Sequence, residues 1–401
     1  MKKIIVAGLV LLTSQAFASG LSKPVWVGAK AIGMGGAFVG VADDTTAMFH
    51  NPAGISQLKY DHNLQIGADS LITQEDYTSP TGRTESVDRQ VLPVPQFGYV
   101  NRQLKMISLG LGVFFPHGNG GKYSGLDTVS DVATNPSEGR IYSMEIAPTV
   151  AFQVVPGLSI GASLRVTRIS TMLKNQLFQL APATFDTLTN LETDGWGYGA
   201  SVGLLAKPTD WLNIGFNYRS KISKTLSGTG TFAGAGNFDA DFDITLPTLI
   251  TAGFAAQVSD KWLLSFQYDY ERNSEIEDFV VSSSSLAPGG VTFTLPQNWN
   301  DSHTYHFGAK YDACKTVSLL AGYARDFNAS IPDAVVNRVT GDIDAHEISA
   351  GLLLNKGRYN AGLAWNGRFG ERDIPVTATN VAPGNYDAFV NTVSVNVGVG
   401  L

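Results

Sequence analysis

The chain has 401 residues, of which 44% are hydrophobic and only 16% charged, with a formal net charge of −7. No basic cluster able to track a phosphate backbone occurs, so nucleic acid is not expected as a partner. The single cysteine, Cys314, excludes a disulfide scaffold and reads as a small packed residue.

The N-terminus reads as a targeting signal. Lys2 and Lys3 precede an apolar run, Ile4 to Leu12, and Ala16-Phe17-Ala18 supplies the small residues of a cleavage site. The pattern predicts a secretory signal peptide over residues 1–18, cleaved after Ala18. The run is shorter than the ~20 residues a membrane helix needs, and no later segment supplies such a span. An exported chain with 43 glycines, 10% aromatics and few charges points instead to an all-β protein.

Residues 28–58, GAKAIGMGGAFVGVADDTTAMFHNPAGISQL, are rich in Gly and Ala and lack strand alternation. Asp44 or Thr45 is expected to cap a short helix ending near His50. Asn51 precedes Pro52, which biases it towards extended backbone and stops that helix. Gly33-Met34-Gly35-Gly36 has neither the preceding strand nor the spacing of a dinucleotide-binding turn. The segment is expected to fold as a plug inside a structure made by the rest of the chain.

From about residue 60 the character changes to period-two alternation, which assigns successive side chains to opposite faces of a strand. Trp262, Leu264, Phe266, Tyr268 and Tyr270 alternate with Ser265, Gln267, Asp269 and Glu271; Val393, Val395, Val397, Val399 and Leu401 alternate with Ser394, Asn396 and Gly398. A soluble sandwich also alternates. A polar face carrying Arg, Asp, Glu and Asn beside Gly fits a barrel lumen better, and the connections decide. Breaks at 102–105, 207–209 and 313–314 are short, whereas those at 117–140, 174–193 and 274–301 are long. Short turns on one side and long loops on the other predict an antiparallel transmembrane β-barrel of about 14 strands.

No catalytic or metal-binding constellation emerges, and no cofactor or enzyme activity is expected. His303 and His306 point to opposite faces of a strand, Ser302 diverges from His303, and Gly120-Gly121-Lys122 lacks the spacing of a phosphate-binding loop. The segment 173–191 reads as a loop with Leu177, Phe178, Leu180 and Phe185 exposed. Such apolar surface either binds a substrate or folds on itself. Phe114-Phe115-Pro116 ends an early strand, where proline disrupts the ladder and bends the wall.

Taken together these residues resemble the outer-membrane long-chain fatty-acid and hydrocarbon transporters of the FadL/TodX type. The resemblance rests on Ala42-Asp43-Asp44 followed by Asn51-Pro52-Ala53-Gly54, then on Leu246-Pro247, Leu295-Pro296, Asn298-Trp299-Asn300-Asp301 and Gly322-Tyr323-Ala324. It implies a signal peptide over 1–18, an N-terminal hatch over 19–58 that blocks the lumen, and a fourteen-stranded barrel over 59–401 in the bacterial outer membrane. It implies that Asn51, Pro52 and Ala53 form the hatch motif. Hydrophobic substrate, long-chain fatty acid first, would be caught among the loops, passed to a lumenal pocket and released sideways near a kinked third strand, 106–116. Phe114, Phe115, Arg165, Arg168 and Arg325 join the apolar loop residues as substrate-binding candidates, the arginines as lumenal or rim groups for a carboxylate. Aromatic hydrocarbons are the alternative substrate, and a general diffusion porin, an adhesive barrel and a lipid hydrolase are the competing classes. Outer-membrane lipid and lipopolysaccharide are the expected surroundings, with the protein a monomer.

Overall fold

A computed structural model describes residues 27–87, 91–123, 137–180, 184–232, 236–285, 290–327, 331–336, 342–377, 380 and 382–401. The signal-peptide expectation falls outside these residues. Fourteen antiparallel strands close on themselves as a barrel. In chain order they are β1 (His62–Thr78), β2 (Val91–Leu104), β3 (Ile107–Phe114, resuming as Gly118–Tyr123), β4 (Ser137–Val155) and β5 (Leu158–Leu180). Then come β6 (Thr184–Thr209), β7 (Leu212–Arg219 and Ile222–Phe232), β8 (Gly236–Leu246 and Leu249–Gln257) and β9 (Trp262–Glu271 and Asp278–Ser283). β10 (Val291–Pro296 and Ser302–Asp312), β11 (Val317–Phe327), β12 (Ala345–Lys356), β13 (Tyr359–Ile374) and β14 (Gly384–Gly400) complete the wall. Each strand pairs with the next, and β14 returns to β1 from Asn63↔Gly400 up to Thr78↔Asn385. Closure leaves the ring without a free first or last strand, as a membrane-spanning sheet requires.

The alternation has a physical reason that reverses along the strands. In the membrane-facing part of β7, Ile214, Phe216 and Tyr218 are exposed outside while Asn217 and Arg219 are buried inside. After the break at Ser220–Lys221 the apolar residues turn inward, as Ile222 and Leu226. β8 repeats this. Phe238, Phe242, Ile244 and Leu246 are buried with Asp239, Asp241 and Asp243 outside, and beyond Pro247 the pattern swaps to exposed Phe254 opposite buried Thr251. The breaks mark the upper edge of the apolar belt. Above them water surrounds the wall, so the strands keep apolar side chains inside.

Strands of 23 and 26 residues in β5 and β6 far exceed the ~9–11 that cross a bilayer, so this hairpin rises above the membrane. That corrects the expectation of a loop over 173–191: only residues 181–183 lie between the strands, and the alternating residues either side of them pair in register. Cys314, expected to be packed, is exposed in a turn between β10 and β11.

Residues 27–58 sit inside the barrel. They form α1 (Ala29–Gly33), α2 (Ala47–His50) and a 3₁₀ turn (Pro52–Gln57), with nearly every residue buried. So short a run of helix owes its stability to the wall around it, not to its own propensity. Glycines of the wall make the fit. A β-carbon at Gly203 would overlap Asn51 Oδ1, and one at Gly215 would overlap the Val39 carbonyl.

Candidate functional site

The enclosed segment is tied to the wall by polar side chains of the inward face. Gln267 Oε1 accepts from the backbone N–H groups of Phe38 and Val39 at 2.9 and 2.8 Å, and Ser265 donates to the Ala37 carbonyl at 2.8 Å. His306 donates through Nδ1 to the Gly35 carbonyl at 2.7 Å, and Asn396 Oδ1 accepts from Ala29 N–H at 3.2 Å. These bonds satisfy backbone groups that a short helix and its turns leave without internal partners.

Asn51 is the centre of this network. Its backbone is extended (φ −164°, ψ 98°), as the following proline predicts, and the side chain is fully buried. Nδ2 donates to the carbonyls of Val39 at 2.9 Å and Leu204 at 3.0 Å, while Oδ1 accepts from Ala53 N–H at 3.2 Å. One amide therefore joins two turns of the enclosed segment to β6. Pro52 suits the first position of the 3₁₀ turn, where its missing N–H costs nothing. Ala53 packs against the wall, where a β-carbon at Gly161 would strike its N–H. The expected cap takes a shifted form: Asp44 accepts from Thr46 N–H and Oγ1 just ahead of α2. Burial and the neighbouring Asp43 push the Asp44 carboxyl up. Burial likewise holds the His50 imidazole down to about 4, and its Nε2 donates to the Val27 carbonyl at 3.0 Å.

Directly above α2 lies a buried charge cluster. Glu145 on β4 accepts from Arg165 Nε on β5 at 2.9 Å and from Arg219 Nη2 on β7 at 2.8 and 3.0 Å. Arg165 Nη1 donates to the Ser220 carbonyl at 2.6 Å, at the strand break, and Arg219 Nη1 donates to the Phe49 carbonyl at 3.1 Å. The Arg219 guanidinium also lies 4.1 Å from the centre of the Phe49 ring. Two guanidinium groups around one carboxylate leave a formal excess of one positive charge among residues at most 3% exposed. Phe114 is buried beside them, its ring centre 5.8 Å from that of Phe49.

Above the cluster, Ile141, Ile169 and Ile222 begin a buried apolar core that continues through Leu226, Phe238, Phe242, Trp299 and Tyr386. The barrel interior thus runs from an apolar core, through a compact charged layer, to the enclosed N-terminal segment.

The wall changes beside this core. β2 and β3 pair up to Phe97↔Val113; beyond it, among the described residues, Leu92–Gln96 continue the ladder with β1 and Gly118–Gly121 continue it with β4. Phe115, Pro116 and His117 form the break in β3. Pro93 and Pro95 share a parity, so their nitrogens face the same edge; proline is tolerated where no partner asks for an N–H, which is the edge towards β3.

The other expected site residues divide. Arg165 and Phe114 belong to the cluster just described, and Phe115 is half-buried at the break. Arg168 does not face the lumen: it lies outside, half-exposed, paired with Asp194 at 3.0 Å. Arg325 is also outside, between Tyr323 and Phe327 on the outward face of β11. Both corrections follow from parity, since Ile169 and Ala324, their immediate neighbours, are the inward residues. Leu177, Phe178 and Leu180 fall on β5 and Phe185 on β6, with side chains outside the described set. Glu145, Arg219, Pro93 and Pro95 were not singled out from sequence. The signals were there: Glu145 and Arg219 interrupt inward faces of small polar residues, and two alternate prolines in one strand mark an unpaired edge.

Comparison with known proteins fits this geometry. Residues 9–354 match the family described as outer membrane protein transport protein (OMPP1/FadL/TodX). The chain is 25% identical over 174 residues to an outer membrane protein of Neisseria meningitidis serogroup B, a match spanning 38% of this chain and 37% of that protein. Its fold resembles that of a Pseudomonas aeruginosa FadL homologue, with a TM-score of 0.80 and 16% identity, over 94% of this chain and 99% of that one. It also resembles the P. putida toluene transporter TodX, with a TM-score of 0.78 and 19% identity, over 94% and 98% of the two chains. The sequence match over most of the length, met by a closed barrel that holds its own N-terminal segment, makes this chain a member of the outer membrane protein transport protein family.

Proposed function

We propose that this protein admits hydrophobic small molecules, long-chain fatty acids foremost, through the bacterial outer membrane. The observation that carries the reading is the apolar interior above two arginines and one glutamate. An alkyl chain is drawn among these side chains because each Å² of apolar surface removed from water contributes ~25 cal/mol. A carboxylate at its lower end offsets the excess positive charge of Glu145, Arg165 and Arg219, which burial otherwise makes costly. Residues 1–18 act as a signal peptide cleaved after Ala18, and 19–58 act as the hatch, with Asn51, Pro52 and Ala53 as its catch. Movement of the hatch frees the substrate, which leaves sideways through the unpaired stretch between β2 and β3. Its concentration gradient drives passage.

One observation favours an aromatic hydrocarbon instead. Both guanidinium groups already donate to Glu145 and to backbone carbonyls, so a neutral substrate needs nothing further from them. Binding of a fluorescent long-chain fatty acid to purified protein, with toluene as competitor, separates the two. Saturable fatty-acid binding that toluene fails to displace supports the first reading. Displacement by toluene, or toluene binding alone, supports the second. If neither ligand binds and ions pass freely through a planar bilayer, the protein is an open pore and the proposal fails.

A further inference from the structure

The outward displacement of Arg325 brings it into an unusual setting. Cross-strand register sets Tyr268, Tyr305, Arg325, His346 and Phe369 in one row over β9 to β13, near the strand ends opposite the short turns. Tyr305, His346 and Phe369 in this row are exposed outside the barrel, as is Tyr323. Aromatic rows of this kind sit at the level of lipid headgroups. Two histidines are held within it by tyrosines: Tyr268 Oη lies 2.7 Å from His303 Nδ1, and Tyr323 Oη lies 2.8 Å from His346 Nδ1. Each tyrosine hydroxyl and imidazole Nδ1 share one hydrogen bond, which fixes the ring beside the row. Arg325 lies between them, its guanidinium 4.9 Å from the Phe327 ring centre.

We propose that this row, centred on Arg325 with His303 and His346, is a docking site for the phosphorylated headgroup of an outer-leaflet glycolipid. The argument is charge and height together. A guanidinium and two imidazoles sit on the lipid side of an acidic protein, at the depth where headgroup phosphates lie, and Arg is the side chain best shaped to grip phosphate. The rings on either side would flank the sugars and the upper acyl carbons. Two carboxylates border the site. Asp344 approaches Arg325 at 3.7 Å and is itself 44% exposed, so it competes weakly for the guanidinium. Asp301 is engaged by Tyr270 Oη and Ser274 N–H. The site is independent of what passes through the lumen.

The test is native mass spectrometry of the purified full chain with lipid A carrying both phosphates, with its dephosphorylated form, and with inorganic phosphate as competitor. The expected result is retention of one phosphorylated lipid A, loss of ~10-fold in retention for Arg325→Gln, and a gain of ~3-fold for Asp344→Asn, which removes the competing carboxylate. Because one variant loses and the other gains, impaired folding cannot mimic the pair. Equal retention by wild type and both variants overturns the proposal. So does equal retention of dephosphorylated lipid, which would make the row a merely apolar belt. Release by equimolar inorganic phosphate also overturns it, in favour of a free-anion site.

Discussion

The side-chain amide of Asn51 donates to the Leu204 carbonyl 3.0 Å away, fastening the enclosed segment to the wall between two glycine-bearing strands. Replacing Asn51 by Ala strands the Val39 and Leu204 carbonyls without this donor in a dry interior, at a cost of ~2–3 kcal/mol to the seating of the segment. Closure of the barrel does not involve this side chain. Asn51→Ala is therefore expected to remain folded by its heat-modifiable gel mobility and to lose most hydrophobic-substrate uptake. Asn51→Asp should be worse, since its carboxylate sets oxygen against both carbonyls.

Gly203→Ala attacks the same contact from the wall. The added methyl takes the place of Asn51 Oδ1, and backbone on both sides prevents an easy adjustment. The segment should shift while the strand ladder survives. Single-channel recording is expected to find a higher or noisier ion conductance than in the wild type, with β-sheet circular dichroism unchanged.

The charge cluster predicts strong coupling. Glu145→Gln leaves two buried guanidinium groups without a counter-ion and should cost ~3–5 kcal/mol in unfolding by urea or guanidinium. Adding Arg219→Met removes one of the stranded charges, so the double variant should recover part of that loss, which a double-mutant cycle measures. If fatty acid is the substrate, Arg219→Met should also weaken its binding while leaving toluene unaffected.

His50 predicts a pH dependence. Its imidazole, surrounded by Phe38, Phe49 and the Val27 carbonyl, titrates near 4 when enclosed and near ~6.5 when released. The enclosed form holds fewer protons in that window, so its advantage is complete above ~6.5 and declines as pH falls towards 4, by roughly 3 kcal/mol at most. Asp44, whose carboxyl is pushed up, acts in the opposite sense. Hydrogen-exchange protection factors of residues 45–57, corrected for the intrinsic rate, should fall between pH 6.5 and 4 in an Asp44→Asn background, and His50→Gln should abolish the fall.

Pro116 tests the sideways route. A Thr at this position restores an N–H and lets β3 continue across its break. Uptake should fall several-fold with thermal stability equal or higher. Unchanged uptake would argue for release straight down into the periplasm.

Sequence reading reached the barrel because alternation and connection length are both local signals. It reached the extended backbone of Asn51 because Pro52 follows it. It misplaced Arg168 and Arg325 because a one-residue slip in parity exchanges lumen for lipid, and neither strand carries an inward anchor in sequence as obvious as Gln267 does on β9. Residues 173–191 form a hairpin rather than a loop because their two arms pair in register across 181–183, which an apolar-rich stretch without clean alternation does not reveal in sequence. The Glu145–Arg165–Arg219 cluster joins three strands 20 to 74 residues apart, and pairing at that separation leaves no local trace.

The seam between β1 and β14 also fixes an order of assembly. The first strand finds its last partner only when the final strand is present, and sixteen residue pairs must then form between the two ends of the barrel. Residues 27–58 precede β1 and finish inside the ring, with bonds to β5, β6, β9 and β14. They enter by the end of the ring at which β1 begins, so their final contacts to β14 wait on the last strand, and these contacts join residues at opposite ends of the sequence, the kind that form slowly.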